Sequence, residues 1–493
     1  MGEKFYITTP IYYVNDRPHV GHAYVTIAAD VLARFWRIRL GEDRVWFLTG
    51  TDEHGAKIEQ AAKKAGKTPH ALADEVSESF RGAWEELRIS YNDFIRTTEP
   101  RHAQAVVSFL KVLQNAKTPA GNSALYEGEY RGLYCTGHEA FIKESDLADG
   151  LCPDHKTKPE LVAEKNWFFR LSNYAEVLRA RIMAGELTID PESRRNETLS
   201  FIAHGLEDIA ISRPQVQWGI PLPFDSVQTT YVWVDALINY ISAIGYGSDE
   251  AVMQRWWPAD LHLVGKDIIK FHCVIWPALL LAAGLALPRK IFAHGFFTVG
   301  GEKISKSLGN AIDPMLIAKA YGVDALRYYL LREIPFGEDG DFSEEKLKAV
   351  YNGELSNGLG NLVARVAALG EKVSPLRFDF ARDIRPAVHE EINTRFRRYE
   401  EAMDSLRLHE ALGEVWRLIG FTDRYLSDTK PWAVADPEEL RKIISRAAWL
   451  VSTVVNLVRP FLPETADKIQ EQIRFADGVI EMKKGAGLFP RLG

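Results

Sequence analysis

Residues 4–55 read KFYITTPIYYVNDRPHVGHAYVTIAADVLARFWRIRLGEDRVWFLTGTDEHG, and they contain two strand patterns separated by a helical one. Residues 4–9 and 45–49 are rich in β-branched and aromatic side chains, which predicts strands. Residues 24–40 carry apolar side chains at helical spacing, and another helical pattern begins near Ala56. A chain that alternates strand and helix in this way is expected to form a parallel sheet with right-handed crossovers.

The α/β pattern is interrupted and then resumes. It breaks near residues 116–122, and an irregular stretch rich in Tyr, Gly and His follows. Strand patterns return at residues 262–264 and 291–293, with one long helix predicted between them at residues 267–284. The pattern of residues 342–470 is helical throughout, which is typical of a helix bundle. We therefore expect a parallel-sheet domain that is split by an insertion and followed by a bundle.

Composition excludes several classes of protein. The chain has 493 residues, 46% hydrophobic and 26% charged, which is ordinary for a globular protein of more than one domain. The longest apolar stretch, residues 274–287, contains a proline and is shorter than a membrane span. The N-terminus lacks the pattern of a secretion signal, so we expect a cytoplasmic protein with no membrane association. A net charge of -7 argues against indiscriminate binding of polyanions.

His19, Gly21 and His22 lie where the first strand pattern gives way to the first helical pattern. Ligands of open parallel sheets bind beyond the carboxyl ends of the strands, and a helix N-terminus attracts phosphate. The two imidazoles point the same way, and the glycine lets a nucleotide approach the backbone. Taken alone, the string HxGH is more often a capping histidine beside a turn glycine.

A polar, basic loop supplies a second motif at residues 302–310, EKISKSLGN. Lys303 and Lys306 alternate there with serines, and nearby glycines favour a loop that can wrap donors around a triphosphate. Negative charge develops on pyrophosphate as it leaves during adenylyl transfer, and a lysine held close stabilises that transition state. A solvated surface loop is the alternative, but the companion HxGH motif favours the functional interpretation.

The two motifs together resemble HIGH and KMSKS, the signatures of the class I aminoacyl-tRNA synthetases, in the same order. Within the class the chain resembles the methionyl-tRNA synthetases, also at residues 231–240 (YVWVDALINY) and 265–276 (GKDIIKFHCVIW). The resemblance runs over residues 5–461. Ile304 stands where the family usually has methionine, which is a nearly volume-conserving change.

The resemblance implies an α/β fold, with a Rossmann-like parallel-sheet catalytic domain split by an inserted connective domain and followed by an all-α helical-bundle anticodon-binding domain. The predicted domain boundaries are 1–117 and 229–298 for the two catalytic halves, 118–228 for the insertion, 299–350 for the KMSKS-loop linking domain, 351–475 for the bundle and 476–493 for a C-terminal tail. We expect a monomer, because the chain ends without the appended module that usually makes members of the family dimeric.

The resemblance also implies a two-step reaction, in which ATP and methionine form methionyl-adenylate and tRNA(Met) then receives the methionyl group. The catalytic positions would be His19, His22, Lys303 and Lys306, of which Lys306 acts most directly on the phosphates. Mg2+ would neutralise phosphate charge. The positions implied to bind ATP are His19, Gly21, His22, Gly265, Asp267, Lys303 and Lys306.

A methionine side chain is apolar and polarizable, so its pocket should be lined by aromatic rings with few polar groups. By resemblance, the methionine-binding positions are Ile11, Tyr13, Asp52, Trp233, Leu237, Tyr240, Ile268, His272 and Trp276. Asp52 is implied to pair with the substrate ammonium, and Leu237 replaces a proline found in some members. From spacing alone, Trp233, Tyr240 and Trp276 would be assigned to core packing.

The insertion contains two CxxH units, Cys135 with His138 and Cys152 with His155. Two thiolates and two imidazoles can close a tetrahedral structural Zn2+ site, and the spacing favours this over two unrelated cysteines. Many members of the family have a zinc knuckle in this insertion, commonly with more cysteine ligands, and others have lost the metal.

The bundle carries the positions that resemble the anticodon readers of the family, namely Asn361, Arg365 and Trp432. Unpaired RNA bases stack on aromatic rings and bond to Asn and Arg side chains. Residues 351–493 contain 21 basic and 21 acidic residues, a balance that favours selective base contacts over broad phosphate neutralisation. From spacing alone these residues are equally an exposed Asn/Arg pair and a packed tryptophan.

Three other functions stay open at this point. A class I synthetase for leucine, isoleucine, valine or cysteine is one, although the insertion is short for the editing domain that the branched-chain enzymes usually carry. A small-molecule nucleotidyltransferase that shares HxGH is another, although such enzymes are typically shorter and lack the helical domain. The third is an RNA-binding paralogue without catalysis, which the presence of both histidines and both lysines disfavours.

Overall fold

The computed structural model describes residues 4–135, 140–142, 144–153, 156–214, 216–304 and 310–493. The chain forms two compact units. The first unit comprises Met1–Pro18, Trp36–Glu85 and Ile89–His294, and the second comprises His19–Phe35, Glu86–Arg88 and Gly295–Gly493.

The residues up to His294 contain thirteen of the described strands and ten of the described α-helices. The strands are β1 (Phe5–Tyr13), β2 (Val45–Asp52), β3 (Asp93–Arg96), β4 (Leu125–Cys135), β5 (Ala140–Ile142), β6 (Glu160–Phe169), β7 (Thr188–Asp190), β8 (Ile209–Ala210), β9 (Ser212–Arg213), β10 (Pro221–Leu222), β11 (Asp225–Thr230), β12 (Leu261–Gly265) and β13 (Lys290–His294). The helices are α1 (Val20–Leu40), α2 (Ala56–Lys64), α3 (Pro69–Glu86), α4 (Pro100–Asn115), α5 (Ala175–Met183), α6 (Glu192–Ala203), α7 (Val232–Leu237), α8 (Asn239–Ser242), α9 (Glu250–Trp256) and α10 (Trp276–Ala282).

A six-stranded sheet in the order β3-β2-β1-β12-β13-β7 organises the first unit, and every neighbouring pair in it is parallel. This confirms the predicted α/β class. The first strand is longer than predicted, and its register with β2 shifts between Thr8 and Ile11. The shift brackets Pro10, which has no N–H to give to a ladder and is therefore tolerated at such an irregularity.

The insertion contributes antiparallel sheets of its own. Four strands pair in the order β5-β4-β6-β8, and three short strands pair in the order β10-β11-β9. The strand β7, which also comes from the stretch predicted as an insertion, pairs with β13 at the edge of the parallel sheet. The carboxyl ends of β1, β2 and β12 lie on one edge of the parallel sheet, where ligands of such sheets bind.

The prediction of a single long helix at residues 267–284 was wrong. The structure has a 3-10 turn at Lys266–Ile268, a π-helical segment at Phe271–Ile275, and only then α10. Pro277 lies at the start of α10 and has no N–H to donate to the carbonyl four residues earlier. A single π turn accommodates that missing bond, and π turns often occur at functional sites.

The second unit continues from β14 to the end of the chain. Its helices are α11 (Pro314–Tyr321), α12 (Val323–Arg332), α13 (Glu344–Val350), α14 (Asn361–Glu371), α15 (Phe380–Asp383), α16 (Pro386–Asp404), α17 (Leu408–Thr429), α18 (Pro437–Val458) and α19 (Pro463–Gln472). Its strands are β14 (Phe297–Val299), β15 (Glu302–Lys303), β16 (Gly340–Asp341), β17 (Leu376–Arg377), β18 (Ile473–Ala476) and β19 (Val479–Met482). The helical bundle was predicted, whereas the small sheet β17-β19-β18 at its end was not.

A buried ion pair lies inside the second unit. The guanidinium of Arg327, on α12, and the carboxylate of Asp30, on α1, are 2.6 Å apart and both side chains are fully buried. Arg327 also donates to the carbonyls of Leu87, Pro460 and Phe461. In the part of the chain that the structure describes, every helix is too short or too polar to cross a membrane.

Candidate active site

The strand ends of the first unit carry three of the positions predicted to bind methionine. Ile11 and Tyr13 are among the last three residues of β1, in register with Gly50 and Asp52 of β2. Asp52 is buried, with 9% of its surface exposed, and Ile11 and Tyr13 are partly buried against the main apolar cluster of the unit. A carboxylate therefore lies beside an aromatic ring at the carboxyl edge of the sheet.

The helices after β11 supply the aromatic positions. Trp233 is partly buried, and its ring stacks on that of Phe271 with centroids 3.8 Å apart and an interplanar angle of 9°. Tyr240 and Trp276 are buried in the same apolar cluster, with ring centroids 6.1 Å apart. Leu237 is also buried there, and Ile268 is packed against the cluster. The structure thus brings these predicted pocket residues together around one apolar cluster.

His272 is the one imidazole among the predicted pocket residues, and it is buried. Its Nδ1 lies 3.0 Å from the carbonyl of Ile268, and its Nε2 lies 2.8 Å from the hydroxyl of Tyr240. A carbonyl can only accept, so Nδ1 carries the proton, and in a neutral ring Nε2 accepts from Tyr240. Burial lowers the pKa of His272 to about 4, although the Ile268 carbonyl and Asp267 oppose this shift. The ring is therefore neutral near pH 7.

Gly265 and Asp267 occupy the position that the sequence predicts for a ribose contact. Gly265 is the buried last residue of β12, and Asp267 is exposed in the 3-10 turn that follows. A glycine at a strand end allows close approach of a nucleotide, and a carboxylate can accept hydrogen bonds from ribose hydroxyls. Their role in ATP binding stays a prediction.

The two histidines of the HxGH motif are in contact with each other in the second unit. Their rings are stacked with centroids 3.7 Å apart. The N–H of Gly21 donates to Nδ1 of His19 at 3.1 Å, and the N–H of His19 donates to Nδ1 of His22 at 3.2 Å. Desolvation lowers the pKa of His22 well below its ordinary value, and the neighbouring His19 ring lowers it further.

Gly21 is constrained by the imidazole of His19. A Cβ added at Gly21 would lie 2.9 Å from Cε1 of His19 and 3.1 Å from its Nδ1, closer than real Cβ contacts allow. Any other residue would push the His19 ring from its place. The glycine of the motif is thus needed for the geometry of the histidine pair itself, in addition to the access predicted from the sequence.

The lysine loop is described on both sides but not at its centre. Lys303 lies on β15, which pairs with β14 through Thr298. Residues 305–309, including Lys306, lie outside the described residues. Beyond them, the carbonyl of Ile312 accepts from the N–H of Val20 at 2.9 Å. The segment after the loop is therefore bonded to the HxGH segment, although almost three hundred residues separate them in sequence.

The predicted metal ligands are only half described. Cys135 and Cys152 are buried, and His138 and His155 lie outside the described residues. The N–H of Lys156 donates to the carbonyl of Cys152 at 2.8 Å. Within the described ranges, no group of three or more His, Cys, Asp or Glu side chains could hold a metal ion.

The three predicted anticodon readers lie in the bundle of the second unit. Asn361 is exposed at the start of α14, and Arg365 lies one turn later with its guanidinium 6.0 Å from the ring centroid of Trp432. Trp432 is 59% exposed, so it is not a core tryptophan. Arg365 also donates to Asp423 at 2.9 Å. An exposed aromatic face beside a guanidinium is suited to stacking an unpaired base.

Sequence reasoning missed several residues of this region. Phe271, which stacks on Trp233, and Asp235, which lies between Trp233 and Leu237, both fall inside strings that carry the family resemblance. His54 follows Asp52 in the string GTDEHG, and it bonds to Asp235 at 2.7 Å. Their proximity to predicted pocket positions in the sequence was the available signal. Their contacts join residues far apart in the chain, which periodicity does not reveal.

Comparison with known proteins gives the family. The family model described as tRNA synthetases class I (M) matches residues 5–158 and 145–367, and that described as the anticodon binding domain of methionyl tRNA ligase matches residues 382–486. The chain is 44% identical to the methionine–tRNA ligase of Thermotoga maritima, over 96% of this chain and 76% of that protein. The chain belongs to the methionyl-tRNA synthetase family. The methionine–tRNA ligase of Streptomyces coelicolor is 41% identical, over 99% of this chain and 97% of its own length.

A solved member of the methionyl-tRNA synthetase family has the same fold. The Mycobacterium tuberculosis enzyme in complex with methionyl-adenylate is 39% identical, with a TM-score of 0.92 over 99% of this chain and 100% of that chain. The predicted family and fold class are therefore confirmed, including the helical anticodon-binding domain.

Proposed function

We infer that the chain is a methionine–tRNA ligase that uses ATP. The observation that carries this conclusion is its similarity, over 99% of its length, to a methionyl-tRNA synthetase solved with methionyl-adenylate. Leucine, isoleucine, valine and cysteine synthetases are disfavoured because both matching family models are those of the methionine enzymes. A stand-alone nucleotidyltransferase is disfavoured because the match extends through the anticodon-binding domain.

The reaction has two steps. A carboxylate oxygen of methionine attacks the α-phosphorus of ATP, the bond from that phosphorus to the bridging oxygen breaks, and pyrophosphate leaves. A hydroxyl of the 3'-terminal adenosine of tRNA(Met) then attacks the activated carbonyl carbon, and AMP leaves with the bonding electron pair. No side chain of the protein is acylated, so catalysis depends on positioning and electrostatic stabilisation.

We propose that the side chain of methionine binds among Trp233, Tyr240, Trp276 and their neighbours, with its ammonium on Asp52. The aromatic edges favour contact with a thioether sulfur. Tyr240 and the neutral His272 provide polar atoms that are already bonded to each other, so neither of them presents a charge to the side chain. That arrangement favours an uncharged, unbranched ligand over a polar one.

We propose that His19 and His22 bind the phosphates of ATP, and that Lys303 and Lys306 stabilise the leaving pyrophosphate. The stacked imidazoles lie at the N-terminus of helix α1, whose first N–H groups favour an anion. Gly265 and Asp267 would hold the ribose. Mg2+ would accompany the nucleotide that these residues hold. It would neutralise part of the negative charge of the triphosphate.

We propose a structural Zn2+ site built from Cys135, His138, Cys152 and His155. Its support is the buried position of both cysteines and the spacing of the two CxxH units in the sequence. Metal analysis of the purified protein is expected to give one zinc per chain. A Cys152→Ser variant is expected to lose the metal and to keep methionine activation, because a closed site has no open position for catalysis.

We propose that Asn361, Arg365 and Trp432 read the anticodon of tRNA(Met). The exposed Trp432 ring beside the Arg365 guanidinium supports this assignment. A monomeric state and a cytoplasmic location stay predictions, which a mass measurement in solution and cell fractionation test.

The decisive experiment is ATP–pyrophosphate exchange with each amino acid in turn. Exchange that depends on methionine is expected, and exchange with another amino acid instead would contradict the proposed substrate. A Lys306→Ala variant is expected to lose roughly 100-fold or more of the exchange rate, because it removes charge stabilisation of the leaving group. Exchange at the wild-type rate in that variant, with the same thermal stability, would refute the role of Lys306.

A further inference from the structure

A chain of buried polar side chains connects four separate elements of the first unit. The carboxylate of Asp235, on α7, contacts Nδ1 of His54 at 2.7 Å and Nε2 of His102 at 2.8 Å. The other nitrogen of His102 contacts Oγ of Ser242 at 2.8 Å. His54 follows β2, His102 is on α4 and Ser242 is on α8. All four residues are buried.

The carboxylate of Asp235 is the acceptor for both imidazoles. Burial alone would raise the pKa of Asp235, but the two histidines outweigh it and lower the pKa to about 2. An ionised carboxylate can only accept, so His54 donates through Nδ1–H and His102 donates through Nε2–H. Each carboxylate oxygen therefore receives one N–H, and the geometry of both rings is fixed.

Stability alone is a weak explanation for this arrangement. A buried charge that must be compensated by partners is often no more stabilising than well-packed apolar residues of the same volume. What such a group fixes is orientation, because each bond has a narrow range of distance and angle. These hydrogen bonds are therefore expected to orient the side chains that neighbour them in the sequence.

The members of this polar chain are close in sequence to the residues that we assign to methionine. His54 follows Asp52 by two residues, and Ser242 follows Tyr240 by two. Asp235 is two residues from both Trp233 and Leu237 on α7. Residues four apart on a helix share a face, and a residue midway between them points away from it. Asp235 therefore anchors α7 by the side opposite to the one that carries Trp233 and Leu237.

We propose that Asp235, held by His54 and His102, is a positioning residue for methionine, which sets the spacing between Asp52 at the end of β2 and the aromatic wall on α7 and α8. The inference rests on the methionine pocket proposed above. The substrate ammonium and the thioether are at opposite ends of one flexible molecule, so the site must hold their two binding groups at a fixed separation. Displacement of about 1 Å in such a site can cost roughly 100-fold.

The test compares two replacements of one histidine. In His54→Asn the amide nitrogen takes the place of Nδ1 and can still donate to Asp235, whereas His54→Leu removes the donor at similar volume. We expect His54→Leu to raise the KM for methionine by about tenfold or more, with the KM for ATP unchanged and kcat little affected. We expect His54→Asn to restore a methionine KM close to that of the wild type.

Asp235→Asn is the second variant, and Asp260→Asn is its matched control. Asp260 also lies in the first unit, partly buried and paired with Lys4 at 2.7 Å, but it precedes β12 and so lies at the opposite end of the sheet strands. We expect Asp235→Asn to raise the methionine KM and Asp260→Asn to leave it unchanged at a similar loss of thermal stability. The proposal is overturned if Asp235→Asn and Asp260→Asn shift the methionine KM alike, or if His54→Leu leaves it unchanged.

Two further measurements separate this proposal from the proposed function and from the proposed methionine pocket, on which it rests. Absence of methionine-dependent exchange in the wild type would mean that the proposed function is wrong. An unchanged methionine KM in Trp233→Ala would mean that the pocket is assigned wrongly. A raised KM in Trp233→Ala, together with an unaffected His54→Leu, would overturn only the role of the polar chain. Should Asp235→Asn fail to fold, the pair of His54 variants still decides the question.

Discussion

The two proposed recognition sites treat their aromatic residues in opposite ways. In the first unit, Tyr240 and Trp276 are 1% and 0% exposed and belong to an apolar cluster. In the second unit, Trp432 is 59% exposed, and the Arg365 guanidinium lies over its ring. A small apolar ligand is selected by an enclosed pocket that excludes water, whereas an RNA base needs a ring face that it can reach. Burial therefore distinguishes the residues proposed to select the amino acid from the residue proposed to read RNA.

The same difference applies to the polar partners of these rings. The hydroxyl of Tyr240 is bonded to a histidine that burial keeps neutral. Arg365 is bonded to Asp423, and both of these side chains are about 30% exposed. A buried polar group needs its partner in order to be tolerated, while a half-exposed ion pair exchanges readily with water. Changes among the buried residues proposed to bind methionine should therefore have larger effects than equivalent changes on the open surface.

The largest expected effect is a loss of stability at acid pH, which comes from protonation of the buried His272. The pKa of His272 is about 4 in the folded chain, below its ordinary value near 6.5, so the unfolded chain binds the proton more readily. The stabilisation that comes from keeping this ring neutral is complete above pH 6.5 and is lost as the pH falls toward 4. This loss amounts to roughly 3 kcal/mol. Urea unfolding at pH 6.5 and at pH 4 measures it.

A variant isolates the contribution of His272 from that of other histidines. His272→Asn keeps a donor for the Ile268 carbonyl and does not titrate, so its free energy of unfolding should fall by roughly 3 kcal/mol less than that of the wild type. His70→Asn, which changes an exposed histidine of the same unit, should behave like the wild type. An acid response of His272→Asn identical to that of the wild type would contradict the buried neutral state.

The next effect belongs to the open surface, and it should appear in only one step of the reaction. Stacking of one base on an aromatic ring is worth about 1–3 kcal/mol, so Trp432→Ala should lower kcat/KM for charging of tRNA(Met) by about 10- to 100-fold. The rate of methionine-dependent pyrophosphate exchange should not change, because that step needs no RNA. Phe396→Ala, which removes another exposed aromatic ring from the bundle, is the control and should leave charging intact. Equal losses in exchange and charging would mean that Trp432 supports the fold instead.

The parallel sheet was predictable because its central strands are regular. Residues 4–9, 45–49, 262–264 and 291–293 were predicted as strands, and each lies within or nearly within an observed strand of the sheet. The edge strands β3 and β7 are four and three residues long, too short to show a period in the sequence. The register shift around Pro10 and the π segment before Trp276 were missed because both depend on tertiary packing around a proline.

The candidate site was predictable only where a family motif marked it. Trp233 and Tyr240 were named by resemblance, and the structure brings both to one apolar cluster. Asp235 lies between them in sequence, yet it was overlooked because its partners, His54 and His102, are 181 and 133 residues away. Spacing along one helix reports which residues share a face, but it does not report which distant side chain will meet them.

The smallest expected effect tests whether Asp423 has a role beyond an ordinary surface pair. Burial raises the pKa of Asp423 and Arg365 opposes the shift, yet the pair is exposed enough that its loss should cost less than about 1 kcal/mol of stability. Asp423→Asn removes the charge that holds the Arg365 guanidinium beside the Trp432 ring and leaves a neutral amide oxygen as its acceptor. We expect the ratio of charging between tRNA(Met) and a variant with an altered anticodon to fall by less than about fivefold. Asp428→Asn removes the same charge from the same helix, so an equal fall in that control would assign the effect to net charge and not to the orientation of Arg365.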